Sequence, residues 1–391
     1  MLSKILSLDD FEVAARRYLP RPIFAYVSGG VEDNVTMRDN RAAFNELGFV
    51  PRSLVDVSGR STARKLLGHE YAQPFGIAPM GISALSAYRG DLVLARGARA
   101  ANIPMIMSGS SLIRLEDVCG ECPGSWFQAY LPGLEEKMDA LIDRVGRAGF
   151  KTLVITVDTP VYANRENNIR AGFSTPLRPG LRLAWDGIVR PRWLAGNLFR
   201  TLLGHGMPHF ENSFATRGAP IIARDVDRDF TGKDHLNWKT LERIRGRWKE
   251  RLVVKGLMHP EDVRIARELG AEGVIISNHG GRQLDSTVSP LRVLSASVAQ
   301  AGDMAVMMDS GIRRGTDVLK ALALGAHFVF VGRPFNYAAS VAGEAGVRHA
   351  VEILGGEVSR GMAQLGANSL DELNPGMLMR IGGVRAPGMP L

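Results

Sequence analysis

The chain has 391 residues, 45% of them hydrophobic and 23% charged, which excludes a disordered chain and leaves ample material for a large core. Lysine and arginine number 48 against 40 acidic residues, a formal charge of +8. Half of that excess lies in residues 175–210, where Arg178, Arg182, Arg190, Arg192 and Arg200 face one acid, Asp186, so a local anionic partner is expected rather than a basic coat. The basic residues are not organised as a nucleic-acid-binding motif, and no nucleic acid is expected as a partner.

At the N-terminus Lys4, Asp9, Asp10 and Glu12 interrupt the apolar residues, so no signal-peptide core forms. No run of about 18 apolar residues occurs, so no membrane span is predicted and the expected location is the cytoplasm. Residues 1–60 read as helices of a capping segment. Continuous apolar runs then recur: Phe75–Pro79, Pro104–Ser108, Trp126–Tyr130, Leu153–Asp158, Leu252–Lys255, Gly273–Asn278, Ala305–Asp309 and Phe328–Gly332. Continuous rather than alternating runs suit parallel strands buried on both faces.

Helical patterns lie between them, at Asp91–Ala101, Leu134–Ala148, Glu261–Leu269 after Pro260, and Thr316–Leu324. Eight strands alternating with helices predict an α/β protein, a (β/α)8 TIM barrel forming a single domain over residues 1–391. A doubly wound open sheet is the alternative, and the lack of G-x-G-x-x-G after the first strand argues against its dinucleotide-binding version. Cys119 and Cys122 form a lone C-x-x-C, read as two small residues of a connection, and no metal site is expected. Residues 159–236 form a long insertion after strand four, at the C-terminal mouth of the barrel where active sites are built. Residues 385–391 read as a loose tail.

The strand ends carry Gly81, Ser108, Gln128 with Tyr130, Thr156 with Asp158, Lys255, Ser277 with His279, Asp309, and Gly332 with Arg333. In a barrel these converge on one pocket. Strand seven leads into D-S-G-I-R-R-G (Asp309–Gly315) and strand eight into V-G-R-P (Val331–Pro334), glycine turns with arginines at the two places where many barrels bind phosphate. Gly311 and Gly332 would admit a phosphate to the backbone N–H groups, and Arg313 and Arg333 would neutralise it. Strand six ends in S-N-H-G-G-R-Q-L-D (Ser277–Asp285), where His279 is a candidate general base and Arg282 a candidate carboxylate clamp. A histidine beside an arginine needs a carboxylate to hold its proton, and Asp158 is the candidate.

These residues resemble a known family, the FMN-dependent L-2-hydroxy acid oxidases and dehydrogenases. The likeness also covers L-P-R-P-I-F-A-Y (Leu19–Tyr26), P-R-S-L-V-D-V-S (Pro51–Ser58), W-F-Q-A-Y (Trp126–Tyr130) and T-V-D-T-P (Thr156–Pro160), and extends from about residue 9 to residue 375. It implies FMN as cofactor and His279 as the base, with Asp158 stabilising its protonated form. Arg282 and Arg165 would bind the substrate carboxylate, helped by the Tyr26 hydroxyl, and Tyr130 would lie by the substrate hydroxyl. Lys255 would lie at the N1–C2 edge of the flavin. Pro79, Met80, Gly81, Ser108, Gln128, Thr156 and Ser277 would line the isoalloxazine. Asp309 would reach the ribityl chain, and Gly311, Arg313, Gly332 and Arg333 the phosphate. His279 takes either the hydroxyl proton as hydride leaves or the Cα proton. Gly81 stands where oxidases of the family often carry Ala and mandelate dehydrogenase-like members carry Gly.

The insertion interleaves its arginines with Trp185, Trp193, Leu194, Leu198, Phe199, Leu202 and Leu203, the composition of an interfacial segment. It resembles the segment that attaches the family's membrane-bound dehydrogenases, the alternative being a solvated lid. The expectation is a dehydrogenase passing electrons to a quinone-type acceptor, peripheral on the inner face of the cytoplasmic membrane. The alternative is a soluble oxidase that makes hydrogen peroxide. A bulky 2-hydroxy acid and a homotetramer are the further expectations. No haem domain is recognised, so an attached cytochrome is not expected.

Overall fold

The eight apolar runs can be covered by sheet neighbours and by helices at once, because each is apolar on both faces. In the computed structural model, which describes residues 2–174, 177–178, 180–223 and 234–381, they form β1 (Phe75–Ile77), β2 (Ile106–Ser108), β3 (Trp126–Ala129), β4 (Thr152–Thr156), β5 (Arg251–Leu257), β6 (Gly273–Ile276), β7 (Ala305–Met308) and β8 (Phe328–Val331). All pair in parallel with the next in sequence from β2 to β8, and β8 pairs back onto β1. A parallel bridge between Ile77 and Met105 completes the circle. The fold is a TIM barrel.

Side chains alternate along a strand, so residues two apart share a face. Ile106, Trp126, Val154, Val253, Ile275, Met307 and Phe330 form an inner core, sealed from below by Leu66 and Tyr71 of the hairpin Arg64–Leu66/His69–Tyr71. Two residues further along six of these strands the same face becomes polar: Ser108, Gln128, Thr156, Lys255, Ser277 and Asp309, all buried. One more step gives Ser110, Tyr130, Asp158, His279 and Gly311. The barrel thus changes from hydrocarbon to polar chemistry over one repeat of the pleat.

The surrounding helices Gly90–Ala100, Glu135–Ala148, Pro260–Glu268 and Gly315–Ala323 begin and end within one residue of the positions read from the sequence. The N-terminal segment is helical, with α1 (Leu8–Tyr18), α2 (Arg21–Ser28) and α3 (Val35–Asn45). A capping box between Ser7 and Asp10 starts α1. The start of α3 is held from far away in sequence. The buried Asp285 accepts hydrogen bonds from the backbone N–H groups of Asp33, Val35 and Thr36. Asn40 and Asn278 exchange two amide hydrogen bonds of 2.9 and 2.7 Å. The cap is therefore bonded to the loop after β6. The antiparallel pair Leu47–Phe49/Leu378–Arg380 joins the segment after α3 to the last described residues.

The described part of the insertion is helical over Glu166–Arg170, Leu181–Ile188 and Pro191–His205, the last with π-type turns at Leu194–Phe199. It differs from the expectation in where its residues face. Trp193 is only 6% exposed and its indole N–H donates to the Leu85 carbonyl. Leu194 and Leu198 also pack on the core. Arg190 donates to the Leu19 carbonyl, and the Arg200 guanidinium stacks 3.9 Å from the centre of the Tyr88 ring. Leu181, Trp185 and Ile188, spaced along one helix face, point outward, as do Phe199 and Leu203. The predicted tail at 385–391 lies outside the described residues. Cys119 and Cys122 are buried free thiols in the segment that precedes β3.

Candidate active site

The polar layer opens into a cavity of about 670 Å³ at the C-terminal mouth. Its walls include Tyr26 from α2, the β1 end Pro79–Gly81, Tyr130, Thr156, Lys255, Arg165 from the insertion, His279 and Arg282 after β6, Asp309–Arg313 after β7, and Gly332 with Arg333 after β8. Ser108, Gln128 and Ser277 do not form the wall. They lie buried in the polar layer, where the Ser108 hydroxyl bonds to Gln128 and the Ser277 hydroxyl accepts from Lys255.

His279 Nδ1 lies 3.0 Å from Asp158 Oδ1, and the Tyr130 hydroxyl lies 3.4 Å from Nε2. The two glycines after His279 explain how a side chain reaches this point. Gly280 and Gly281 have φ of +67° and +73°, and His279 itself is held at +58°. Its N–H donates to Ser277 Oγ, and the next N–H donates to Ser310 Oγ. Burial pushes the His279 imidazole below its ordinary value, opposed by Asp158 and reinforced by Lys255 and Arg165. Burial pushes Asp158 up, but the His279 and Lys255 charges and the His279 hydrogen bond outweigh it and hold the carboxyl below the usual range. The pair is thus poised with the carboxylate ionised and the imidazole able to accept a proton.

A glycine that the sequence reading passed over makes this pair possible. Gly256, at a bulge in β5, has φ of +105°, and a Cβ there would stand 2.7 Å from both Cβ and Cγ of Asp158. The signal for it was present as a glycine directly after the strand-end lysine.

Cations dominate the mouth. Lys255 Nζ pairs with Asp309 at 2.9 Å and donates to Ser277 at 2.8 Å. Arg282 donates to the carbonyls of Tyr26 and Gly29 and lies 5.0 Å from the Tyr26 ring centre. Arg333 donates to the carbonyls of Val27, Gly29 and Gly280, which leaves part of its guanidinium to face the cavity. Arg313 donates to the Ile312 carbonyl and approaches Asp9 at 3.6 Å. Burial, then the charges of Arg165 and Arg333, lowers Arg282 to about 9. Burial lowers Arg333 to about 10. Guanidinium groups crowded and desolvated to this degree form a receptor for anionic groups. Beyond them Val161, Phe173, Phe210 and Phe214 supply an apolar wall from the insertion. The two phenylalanines at 210 and 214 lie at and just beyond the end of the basic stretch and were not singled out from the sequence.

The residues fit a flavin mononucleotide. Thr156 Oγ1 on the cavity wall, and Gln128 Nε2 in the polar layer next to it, are buried polar atoms with no hydrogen-bond partner among the described residues, suited to a heteroaromatic edge with donors and acceptors. Lys255 supplies a cation beside them. At Gly332 a Cβ would project towards Ala78 and Met80, inside the same cavity, so the absent side chain keeps the backbone open there.

A closed parallel barrel with a histidine–aspartate pair, a buried lysine and an arginine-rich mouth defines a barrel protein with an acid–base site built to take anionic groups. A family model described as FMN-dependent dehydrogenase matches residues 15–380, and the chain belongs to that family, with FMN as its cofactor. It is similar to (S)-mandelate dehydrogenase of Pseudomonas putida, 36% identical over 98% of this chain and 96% of that one. It is similar to L-lactate dehydrogenase of Pseudomonas aeruginosa, also 36% identical, over 96% of this chain and 98% of the relative. Among solved structures it is similar to the monotopic membrane protein (S)-mandelate dehydrogenase. That likeness has a TM-score of 0.89 and 35% identity, and covers 96% of this chain and all of the other. A mandelate oxidase structure matches with a TM-score of 0.80 at 33% identity, over 97% of this chain and all of that one.

The glycine contact yields an expected result. Gly256→Ala must displace Asp158 from His279, and misplacement of about 1 Å at a reacting group costs on the order of 10²-fold in rate. Stopped-flow reduction of the bound flavin measures this, and a rate within twofold of the parent would refute the packing argument.

Proposed function

We propose that the protein oxidises an L-2-hydroxy acid with a bulky, mandelate-like side chain to the 2-keto acid and delivers the electrons to a quinone-type acceptor at a membrane surface. The observation that carries the reading is the 3.0 Å His279–Asp158 pair inside a cation-rich cavity. FMN, when bound, accepts the two electrons and passes them on. This chain's own residues do the rest. Arg165 and Arg282 hold the substrate carboxylate, with the Tyr26 hydroxyl beside it. Nδ1 of His279 is committed to Asp158, so Nε2 takes the substrate proton, on the side where the Tyr130 hydroxyl stands. Asp158 then stabilises the imidazolium. Lys255 keeps a positive charge at the flavin end of the cavity, and Arg313 and Arg333 with the Gly311 and Gly332 backbone take the phosphate. Phe173, Phe210 and Phe214 favour a large apolar substituent over a methyl group. The relatives named for mandelate and lactate support the substrate class.

The membrane part rests on the outward face of the insertion. Leu181 and Leu203 are about nine-tenths exposed and Trp185 two-thirds, with Arg182 and Arg192 exposed beside them. Apolar side chains rimmed by arginine suit an interface with anionic lipid. The monotopic (S)-mandelate dehydrogenase supports this. Among the described residues no helix is long and apolar enough to cross a membrane.

Anaerobic mixing of the yellow protein with L-mandelate, L-lactate and glycolate tests the reaction, since bleaching identifies the substrate. Slow recovery on admitting oxygen marks a dehydrogenase, and fast recovery with peroxide would replace the quinone reading by the oxidase one. Trp185→Ser with Leu203→Ser is expected to shift the protein from sedimenting anionic vesicles to the supernatant. An unchanged distribution would remove the membrane reading.

A further inference from the structure

One side chain in the cavity wall has no part in the chemistry above, although it touches both halves of it. Gln283 follows Arg282 directly. Its carbonyl oxygen accepts from Arg165 Nη2 at 2.5 Å, and its amide nitrogen donates to the backbone carbonyl of Asp158 at 3.2 Å. Arg165 is fixed a second time, through its Nε–H to the Arg282 carbonyl at 3.0 Å. Asp158 and Arg165 leave β4 within seven residues of each other, on the segment that opens the insertion. His279 and Arg282 lie on the separate loop after β6. Besides the His279–Asp158 pair and the Arg165 bond to the Arg282 carbonyl, Gln283 joins the two segments with one side chain that bonds to both Arg165 and the Asp158 backbone.

We propose that Gln283 is a positioning residue: it holds the Arg165 guanidinium towards the substrate carboxylate and ties the Asp158 backbone to the loop that carries the base. The inference deepens the substrate reading above and rests on it.

The chemistry favours glutamine over its neighbours in shape and charge. The tie needs an acceptor for Arg165 and a donor for the Asp158 carbonyl, and an amide supplies both from one side chain. Glutamate supplies the acceptor only. It would set an oxygen against the Asp158 carbonyl and place a charge on Arg165 that competes with the substrate carboxylate. Leucine fills similar volume and supplies neither bond. With both bonds in place Arg165 has lost the freedom of a long side chain, and its remaining N–H groups face the cavity in a fixed fork.

The test compares Gln283→Leu and Gln283→Glu with the parent holoenzyme. The probes are a 2-keto acid and its neutral amide, benzoylformate and benzoylformamide, titrated against the flavin spectrum. A positioning role predicts that benzoylformate binds about 10- to 150-fold more weakly to both variants, the range for one charge-assisted hydrogen bond. Binding of the amide should be unchanged to within about twofold. KM for the hydroxy acid should rise more than kcat falls in Gln283→Leu. Equal weakening of acid and amide would mean general damage to the pocket and would overturn the proposal, as would an unchanged preference for the acid. If the parent enzyme is bleached by no 2-hydroxy acid, the substrate reading falls and the role of Gln283 falls with it. If the parent is bleached and the variants keep the parent preference, only the role of Gln283 falls.

Discussion

His279→Gln is expected to bind FMN as the parent does and to be reduced by substrate about 10²- to 10⁴-fold more slowly, the range for loss of a general base. The geometry isolates the effect. His279 meets the protein through Asp158, the Tyr130 hydroxyl and its own backbone N–H, and glutamine keeps the backbone bond to Ser277. What is lost is a nitrogen that can take a proton. The same geometry fixes the sign of the pH dependence. The base works when neutral, and burial lowers the imidazole below its ordinary value of 6.5. Protonation on acidification removes activity, so kcat/KM falls on the acid side with an inflection below 6.5. That limb should vanish in His279→Gln. An inflection well above the ordinary histidine value, or rapid reduction of the variant, would show that another group is the base.

Lys255→Met should have the largest effect on the protein as a whole. Lys255 and Asp309 are both buried, and the ammonium touches Asp309 at 2.9 Å and Ser277 at 2.8 Å. Methionine keeps the length of the stem and deletes the charge, leaving Asp309 as an uncompensated carboxylate in the barrel. Breaking a buried pair from one side costs about 3–5 kcal/mol. Chemical denaturation should therefore begin at markedly lower urea, and the variant should retain less FMN. The double variant Lys255→Met with Asp309→Asn separates two roles of the lysine. It should regain most of the stability, because no charge is left unpaired, yet remain slow in flavin reduction, because the cation is still missing. Recovery of both properties would show that Lys255 serves structure alone.

The barrel was legible because its strands are covered on both faces and therefore appear as uninterrupted apolar runs. The polar layer was legible for a related reason. Along Val154, Thr156 and Asp158, or Ile275, Ser277 and His279, a two-residue step walks up one wall from core to site. What could not be read is contact between segments distant in sequence. Gly256 matters only because Asp158 passes 2.7 Å from where its Cβ would be. Gln283 stood inside a motif, but its partners lie on another loop. Composition placed Trp193 at an interface, whereas its indole N–H finds the Leu85 carbonyl and turns inward. Arg282 and Arg333 were read as ligands for a carboxylate and a phosphate, and nothing in the sequence signals that the carbonyls of residues 26–29 also take several of their N–H groups.

The bonds between the cap and the loop after β6 also govern when the site can assemble. Asp285 grips Thr36 across 249 positions of sequence, and Asn40 meets Asn278 across 238. Closing a loop of that length costs on the order of 5 kcal/mol of chain entropy before any of these bonds forms. Such contacts follow the local strand–helix pairs in time. On the ribosome they cannot form until β6 and its loop have emerged. The left-handed turn that aims His279 is therefore tied to contacts that span most of the chain, and it cannot be held from the cap until both distant segments are present.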